Sequence, residues 1–270
     1  IPKQRKEHGL KASEVQISDS ALARIIDGYA REAGVRSLEN QIKKIMRKVN
    51  LLQAEKESGL IRISQKNLTR YLGQPPFSPE ELYKKLIPGV TLGLAWTAMG
   101  GATLYIEASA IKGKNGGFKQ TGQLGNVMQE SSEIAYSYIR SMVVRENGKK
   151  DESFFDNHFI HLHVPAGATP KDGPSAGITM ALALHSLVKG KAIKKGLAMT
   201  GELTLTGRVL PIGGVREKTI AARRVKVFEL IFPSDNKKDF NELPEYLRKG
   251  MTVHFVDSFD DVLRIAYHGG

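Results

Sequence analysis

Apolar residues recur every three to four positions over the first quarter of the chain. Further on, short runs with period two alternate with helical stretches. Residues 18–33 place Leu22, Ile25, Ile26, Tyr29, Ala30 and Ala33 on one face, which predicts an amphipathic helix. Ser18 suits its N-cap and Gly34 a left-handed stop. A second helix is predicted after Ser37, with Leu38, Ile42, Ile45, Met46, Val49 and Leu52 along one stripe, ending near Gly59. Residues 60–63 read as a short strand, and Ser64 as the cap of a brief helix reaching Leu72. Gly73-Gln74-Pro75-Pro76-Phe77-Ser78-Pro79 then breaks the pattern. The expected organisation is a helical unit at 1–73, a proline-rich linker at 74–87 and a second domain at 88–270.

Beyond the linker the texture is mixed. Strands are predicted near 90–98 and 102–111, followed by a helix at 121–146 that buries Leu124, Val127, Met128, Ile134, Tyr138 and Met142. After a charged loop at 147–157, residues 159–164 alternate: Ile160, Leu162 and Val164 share one face, Phe159, His161 and His163 the other. A loop rich in proline and glycine leads to a helix over 175–188. Strands at 197–206 and 208–212 are hinged at Gly207, and Gly213-Gly214 precedes another helix. A strand at 228–232, a helix near 243–249, a strand at 251–256 and a helix after Ser258 complete the chain. The fold class expected is α+β: a small all-helical subdomain followed by a mixed α/β domain.

Composition narrows the chemistry. The 270 residues include no cysteine, which excludes disulfides, thiolate catalysis and cysteine-ligated metals. Hydrophobic residues at 41% and charged residues at 25% fit a soluble globular protein. The net charge is +12, and residues 1–72 carry 15 basic against 8 acidic side chains. This basic front, with Lys43, Lys44, Arg47 and Lys48, makes nucleic acid a candidate partner. The 21 uncharged residues between Lys85 and Glu107 are interrupted by Pro88, four glycines and three threonines. That favours a buried hairpin around Met99-Gly100-Gly101 over a membrane span, so no membrane partner is expected. With no secretory leader pattern and an opening Ile1-Pro2, the chain reads as a fragment.

The candidate chemistry centres on Ser175, at a strand–loop–helix junction. A serine hydroxyl needs a base to become a nucleophile. Gly173-Pro174-Ser175-Ala176-Gly177 fits the Gly-x-Ser-x-Gly elbow of α/β-hydrolases, with Asp239 and His254 in the required order. However, eight residues separate Val164 from Gly173, too many for a strand that runs straight into the turn. A lysine serves as a base only where burial lowers its pKa from about 10.4. Lys218 lies among small and apolar residues at the start of a helix, where the helix dipole also disfavours an ammonium. Gly213 to Thr219 resembles a phosphate-binding loop, but Glu217 stands where the Walker pattern requires glycine.

Two blocks carry a family resemblance. Pro170-Lys171-Asp172-Gly173-Pro174-Ser175-Ala176-Gly177 is similar to the serine motif of the Lon proteases. The stretch from Met199-Thr200-Gly201-Glu202 through Pro211-Ile212-Gly213-Gly214-Val215-Arg216-Glu217-Lys218 resembles the segment supplying their lysine. The resemblance implies the small lid-like subdomain of an ATPase module followed by a serine peptidase domain. It makes Ser175 the nucleophile and Lys218 the general base of a Ser–Lys dyad. Thr200 would orient the lysine amine, Asp172 would gate the dyad by pairing with Lys218, and Trp96 and Pro174 would border the substrate groove. The competing readings are a strand threonine, a turn aspartate and a core tryptophan. Glu107 and His163 fall in family-like stretches without an assigned role. Arg36, in Gly34-Val35-Arg36-Ser37-Leu38, resembles a nucleotide-sensing arginine that works only with a Walker-bearing subdomain. The resemblance implies no cofactor for this chain, with ATP and Mg belonging to the full-length family protein. It also implies ATP-independent cleavage of unfolded or damaged proteins, a hexameric homo-oligomer, possible DNA contact, and a bacterial cytoplasmic or mitochondrial matrix location.

Overall fold

A computed structural model of the chain describes residues 1–32, 34–55, 59–77, 83, 85–97, 100–113, 116–147, 154–165 and 170–267. It divides into two compact units, essentially Ile1–Glu80 and Glu81–Gly270.

The first unit holds α1 (Pro2–Glu7), β1 (Val15–Ile17), α2 (Asp19–Tyr29), α3 (Arg36–Ala54), β2 (Ile61–Ile63) and α4 (Leu68–Leu72). It is not purely helical, because β1 and β2 pair in parallel, Val15 opposite Ile61. Ile25, Ile45, Met46, Val49 and Ile63 fill its core. Ser18 caps α2 as expected, accepting the N–H of Ala21 at 3.1 Å. The helix stops at Tyr29 rather than at residue 33, because the next turn serves α3. The Glu32 carboxylate accepts the N–H groups of Ser37 (2.5 Å) and Leu38 (3.1 Å), so α3 is capped from outside and starts at Arg36, before Ser37. Asn67, not Ser64, precedes α4, and its Oδ1 accepts the N–H of Ser64 at 2.8 Å.

The second unit contains β3 (Val90–Thr97), β4 (Gly100–Lys112), β5 (Gly117–Thr121), α5 (Asn126–Asn147), β6 (His158–His163), α6 (Gly177–Lys189), β7 (Leu197–Met199), β8 (Glu202–Leu203), β9 (Val209–Leu210), α7 (Val215–Arg224), β10 (Glu229–Pro233), α8 (Lys237–Asn241), α9 (Glu245–Arg248), β11 (Thr252–Val256) and α10 (Phe259–Tyr267). Seven strands form one mixed sheet in the order β11-β10-β7-β3-β4-β6-β5, and β8 with β9 makes a separate antiparallel pair. β3, β7, β10 and β11 run parallel, while β4 and β6 are antiparallel. The fold is α+β.

Helices cover both faces of the parallel strands, so these read as continuous apolar runs. Leu197, Met199 and Ile231 join the core formed with α5, α6 and α10. Leu92, Leu94, Ala198, Leu230 and Phe232 pack with Val215 and Ala222 of α7 on the opposite face. On the α6 side of β3, Thr91 donates to the Thr179 carbonyl at 2.9 Å. A side chain at Gly93 would meet Thr179. Thus α6 and α7 flank β3 and β7 from opposite sides.

Two expectations fail around α5. The helix begins at Asn126 instead of 121, because Thr121 ends strand β5. Gly122 and Gln123 then take positive φ values of 125° and 59°, outside the helical region. Val127 is exposed rather than buried. The buried stripe runs instead through Met128, Ser131, Ser132, Ala135, Tyr138, Ile139 and Met142, with two serines that disguise its start. The strands at 197–206 and 208–212 shorten to β7, β8 and β9: the Thr200 N–H still bonds Ile231 of β10, but the Thr200 hydroxyl and the Gly201 N–H turn to the serine loop.

Candidate active site

Chemistry in an open parallel sheet collects at the carboxyl ends of the strands, where loops replace the ladder. Thr200 is the first residue past the end of β7, and it links the two helices that flank the sheet. On one side, Ser175 lies in a 3-10 turn, Pro174–Ala176, that runs into α6. Its carbonyl accepts the N–H of Gly201 at 2.8 Å and the Thr200 hydroxyl at 3.0 Å. Gly177 permits this approach, since a Cβ there would lie 2.8 Å from the Leu203 nitrogen. The Ser175 side chain is half-buried.

On the other side, Gly214 starts α7 from a left-handed conformation, φ 72°. Lys218 follows one turn later, 2% exposed. Its Nζ donates to Thr200 Oγ1 at 2.9 Å, so one hydroxyl accepts from the lysine and donates to the carbonyl of Ser175. Burial pushes the Lys218 amine down to about 8. Among the described residues no carboxylate pairs with it. The backbone around α7 is tight as well: a Cβ at Gly101 would stand 1.9 Å from the Glu217 carbonyl oxygen.

The other candidates scatter. Asp172 does not meet Lys218. Its Oδ1 accepts the N–H groups of Met128 (3.0 Å) and Gly173 (2.9 Å), placing the carboxylate at the N-terminus of α5, where the helix dipole favours it. Pro174 lies in the serine turn, and its carbonyl accepts the Ser131 hydroxyl at 3.2 Å. Trp96 is 62% exposed and not a core residue, and its side chain covers Gly214 at the start of α7. Arg36 is the exposed first residue of α3. Glu107 accepts the Tyr83 hydroxyl at 2.5 Å, and His163 and His161 both bond to Thr121 Oγ1. The Ser-Asp-His alternative is not assembled: His254 Nε2 bonds Glu229 Oε1 at 2.7 Å, whereas Asp239 accepts from Asn236. Ser131 and Gly201, which hold the carbonyls on either side of the Ser175 Cα, were not among the candidates. Gly201 sits inside a quoted block, but Ser131 looks like any other helical serine until its partner is known.

The stretch 62–269 matches the Lon protease (S16) C-terminal proteolytic domain, more than three-quarters of the chain. The chain belongs to the Lon protease family. Residues 6–61 match the Lon protease AAA+ ATPase lid domain. "Lon protease 1" of Syntrophotalea carbinolica is 57% identical over 99% of the chain, which covers 32% of that protein. "Lon protease" of Chlamydia trachomatis is 51% identical over the whole chain, covering 34% of its own length. "Lon protease homolog, mitochondrial" of Ostreococcus lucimarinus is 50% identical over 97% of the chain and 28% of its own length. The chain thus spans about a third of the length of these Lon relatives.

The lid and proteolytic matches meet between Ile61 and Arg62, inside β2, whereas the structural division falls near residue 80. Strand β2 and helix α4 therefore belong structurally with the lid. Lys218, which the phosphate-loop pattern singled out, is buried and bonded to Thr200. Among the described residues no group of three His, Asp or Glu side chains is placed to hold a metal, and no helix is long and apolar enough to cross a membrane.

The Thr200 link carries its own prediction. Thr200→Val keeps the shape but removes both the acceptor for the lysine amine and the donor to Ser175. It is expected to lower kcat for peptide cleavage by about tenfold or more, whereas Thr200→Ser stays near wild type. Steady-state kinetics on one fluorogenic peptide checks both variants.

Proposed function

We propose that the chain carries a serine endopeptidase site in which Ser175 is the nucleophile and Lys218 the general base. The observation that carries this reading is the buried Lys218 amine, bonded to the hydroxyl that holds the Ser175 carbonyl. With its pKa near 8, roughly a tenth of the amine is neutral at pH 7, against less than one in a thousand for an ordinary lysine. One N–H donated to Thr200 orients the neutral amine and leaves its lone pair free to accept a proton.

Chemically, Lys218 Nζ takes the proton of Ser175 Oγ as that oxygen bonds to the peptide carbonyl carbon. The resulting ammonium delivers the proton to the departing amine, leaving an ester on Ser175. Water then attacks the ester, losing its proton to Lys218, and the proton returns to Ser175 Oγ as the carboxylic acid leaves. Backbone N–H groups near the serine stabilise the oxyanion in both steps. The exposed Trp96 beside the start of α7 provides an apolar surface for an extended substrate segment.

The proposed substrates are unfolded or flexible protein segments. Arg36 is the candidate nucleotide contact, and cleavage by this chain is proposed not to depend on ATP. The hexameric assembly and the DNA contact implied by the family resemblance are further parts of the proposal. Exposed Lys44, Arg47 and Lys48 on α3 form the basic face concerned. The deciding experiment compares wild type with Ser175→Ala, Lys218→Ala and His254→Ala on a fluorogenic peptide and an unstructured protein. Loss of turnover in the first two alone supports the dyad, whereas retention in Lys218→Ala overturns it.

A further inference from the structure

Ser131 lies one helical turn into α5, only 5% exposed, in a buried stripe that is mostly apolar. A buried hydroxyl in such a place is expected to have a definite partner, and its partner is the carbonyl of Pro174, the residue before the proposed nucleophile, at 3.2 Å. The same carbonyl accepts the N–H of Gly177 within the 3-10 turn. On the other side of Ser175, its own carbonyl is held by Gly201 N–H and the Thr200 hydroxyl. Both peptide groups flanking the Ser175 Cα are thus fixed by two donors each.

These anchors also fix where the N–H groups point. The chain has no cis peptide, and in a trans peptide the N–H is directed opposite to the C=O. Holding the Pro174 carbonyl toward α5 therefore turns the Ser175 N–H away from α5. Holding the Ser175 carbonyl toward Thr200 turns the Ala176 N–H the other way. Among the described residues the Ser175 N–H has no acceptor, whereas the Ala176 N–H closes the 3-10 turn that Gly173 caps. A donor fixed in direction and left without a partner, as the Ser175 N–H is, is what a developing oxyanion requires. The second tether between this loop and α5, Asp172 Oδ1 to Met128 N–H, holds the approach to the turn but not the peptide of Ser175 itself.

We infer that Ser131 is a positioning residue for catalysis: its hydroxyl, by clamping the Pro174 carbonyl, aims the Ser175 N–H at the oxyanion of the transition state. The inference rests on Ser175 being the nucleophile. It predicts an effect on the tetrahedral state and not on ground-state binding.

The test compares wild type with Ser131→Ala, Ser131→Thr and the Thr-shaped Ser131→Val. Each is assayed for kcat and KM on a fluorogenic peptide, for inhibition by a peptide boronic acid, and for binding of the matching peptide amide. The boronic acid forms a tetrahedral adduct on a serine, whereas the amide binds without reacting. The expected result is a fall in kcat of about tenfold in the Ala and Val variants. Boronate inhibition weakens by a similar factor, KM and amide binding stay within about twofold, and Thr recovers most of the loss. Equal loss in Thr and Val, equal weakening of boronate and amide, or a kcat in Ser131→Ala within twofold of wild type each overturns the inference. Ser175→Ala and Lys218→Ala run alongside: if they remain active, the dyad itself fails. If they are inactive while the Ser131 series is flat, only the role of Ser131 fails.

Discussion

Lys218→Ala is expected to lower peptide hydrolysis by about 10⁴-fold or more, matching Ser175→Ala within the limits of the assay, because the proposed nucleophile and base would act as one unit. Lys218→Arg is expected to be equally inactive. A guanidinium stays protonated at every accessible pH and cannot accept the Ser175 proton, however well it fits. In the wild type, kcat/KM should rise about tenfold per pH unit below pH 8 and level off above it, following the fraction of neutral amine. The lowering comes from burial alone, so added salt should move the midpoint little, in contrast to a pKa set by a neighbouring exposed charge. A profile with its midpoint near 6.5, shifted or abolished in His254→Ala, would assign the base to an imidazole. The position of His254 argues against that outcome, because its Nε2 is already bonded to Glu229, which also pairs with Lys194 at 2.5 Å.

The elements were legible where local pattern agreed with tertiary packing. The stripe of α3 and the alternation of β6 follow directly from residue spacing, and Ile160, Leu162 and Val164 are fully buried as that alternation requires. Boundaries were lost where a partner distant in sequence decides them. Glu32 ends α2 early in order to cap α3, and the carboxylate of Asp172 caps α5 from 44 residues away. β5 escaped notice because a five-residue edge strand, Gly-Phe-Lys-Gln-Thr, has a single apolar side chain and no alternation to read.

The candidate site divides in the same way. Ser175 and Lys218 stood out because each has an unusual local context: a polar residue at a loop–helix junction, and a lysine among glycines and alanines. The geometry that makes them more than isolated candidates lies in Thr200 Oγ1, which no spacing rule predicts. The proposed partnership of Asp172 with Lys218 was reasonable from sequence order alone. In the fold, unsatisfied N–H groups at the start of α5 hold that carboxylate instead.

A protein that keeps a lysine 98% buried, with no counter-charge among the described residues, sacrifices stability at neutral pH, and this gives the second large effect. In the unfolded chain Lys218 titrates near 10.5, and in the folded chain near 8. Below pH 8 the amine is protonated in both states, so the folded state bears the full cost of a charge removed from water. That cost is about 3 kcal/mol for a difference of this size. Between pH 8 and 10.5 the unfolded chain binds more protons, so stability rises with pH and the cost disappears. Lys218→Met, similar in volume and uncharged, removes the cost and forfeits the hydrogen bond to Thr200, worth about 1 kcal/mol. Thr200 still donates to the Ser175 carbonyl, so no buried donor is orphaned. The inactive Lys218→Met variant is therefore expected to be about 2 kcal/mol more stable than wild type at pH 7, with the difference mostly gone by pH 10. Urea unfolding of both proteins at the two pH values, followed by circular dichroism, measures this directly. A variant less stable than wild type at pH 7 would mean that the lysine stabilises the fold through contacts rather than straining it through its charge. The base would then need another source for its lowered pKa.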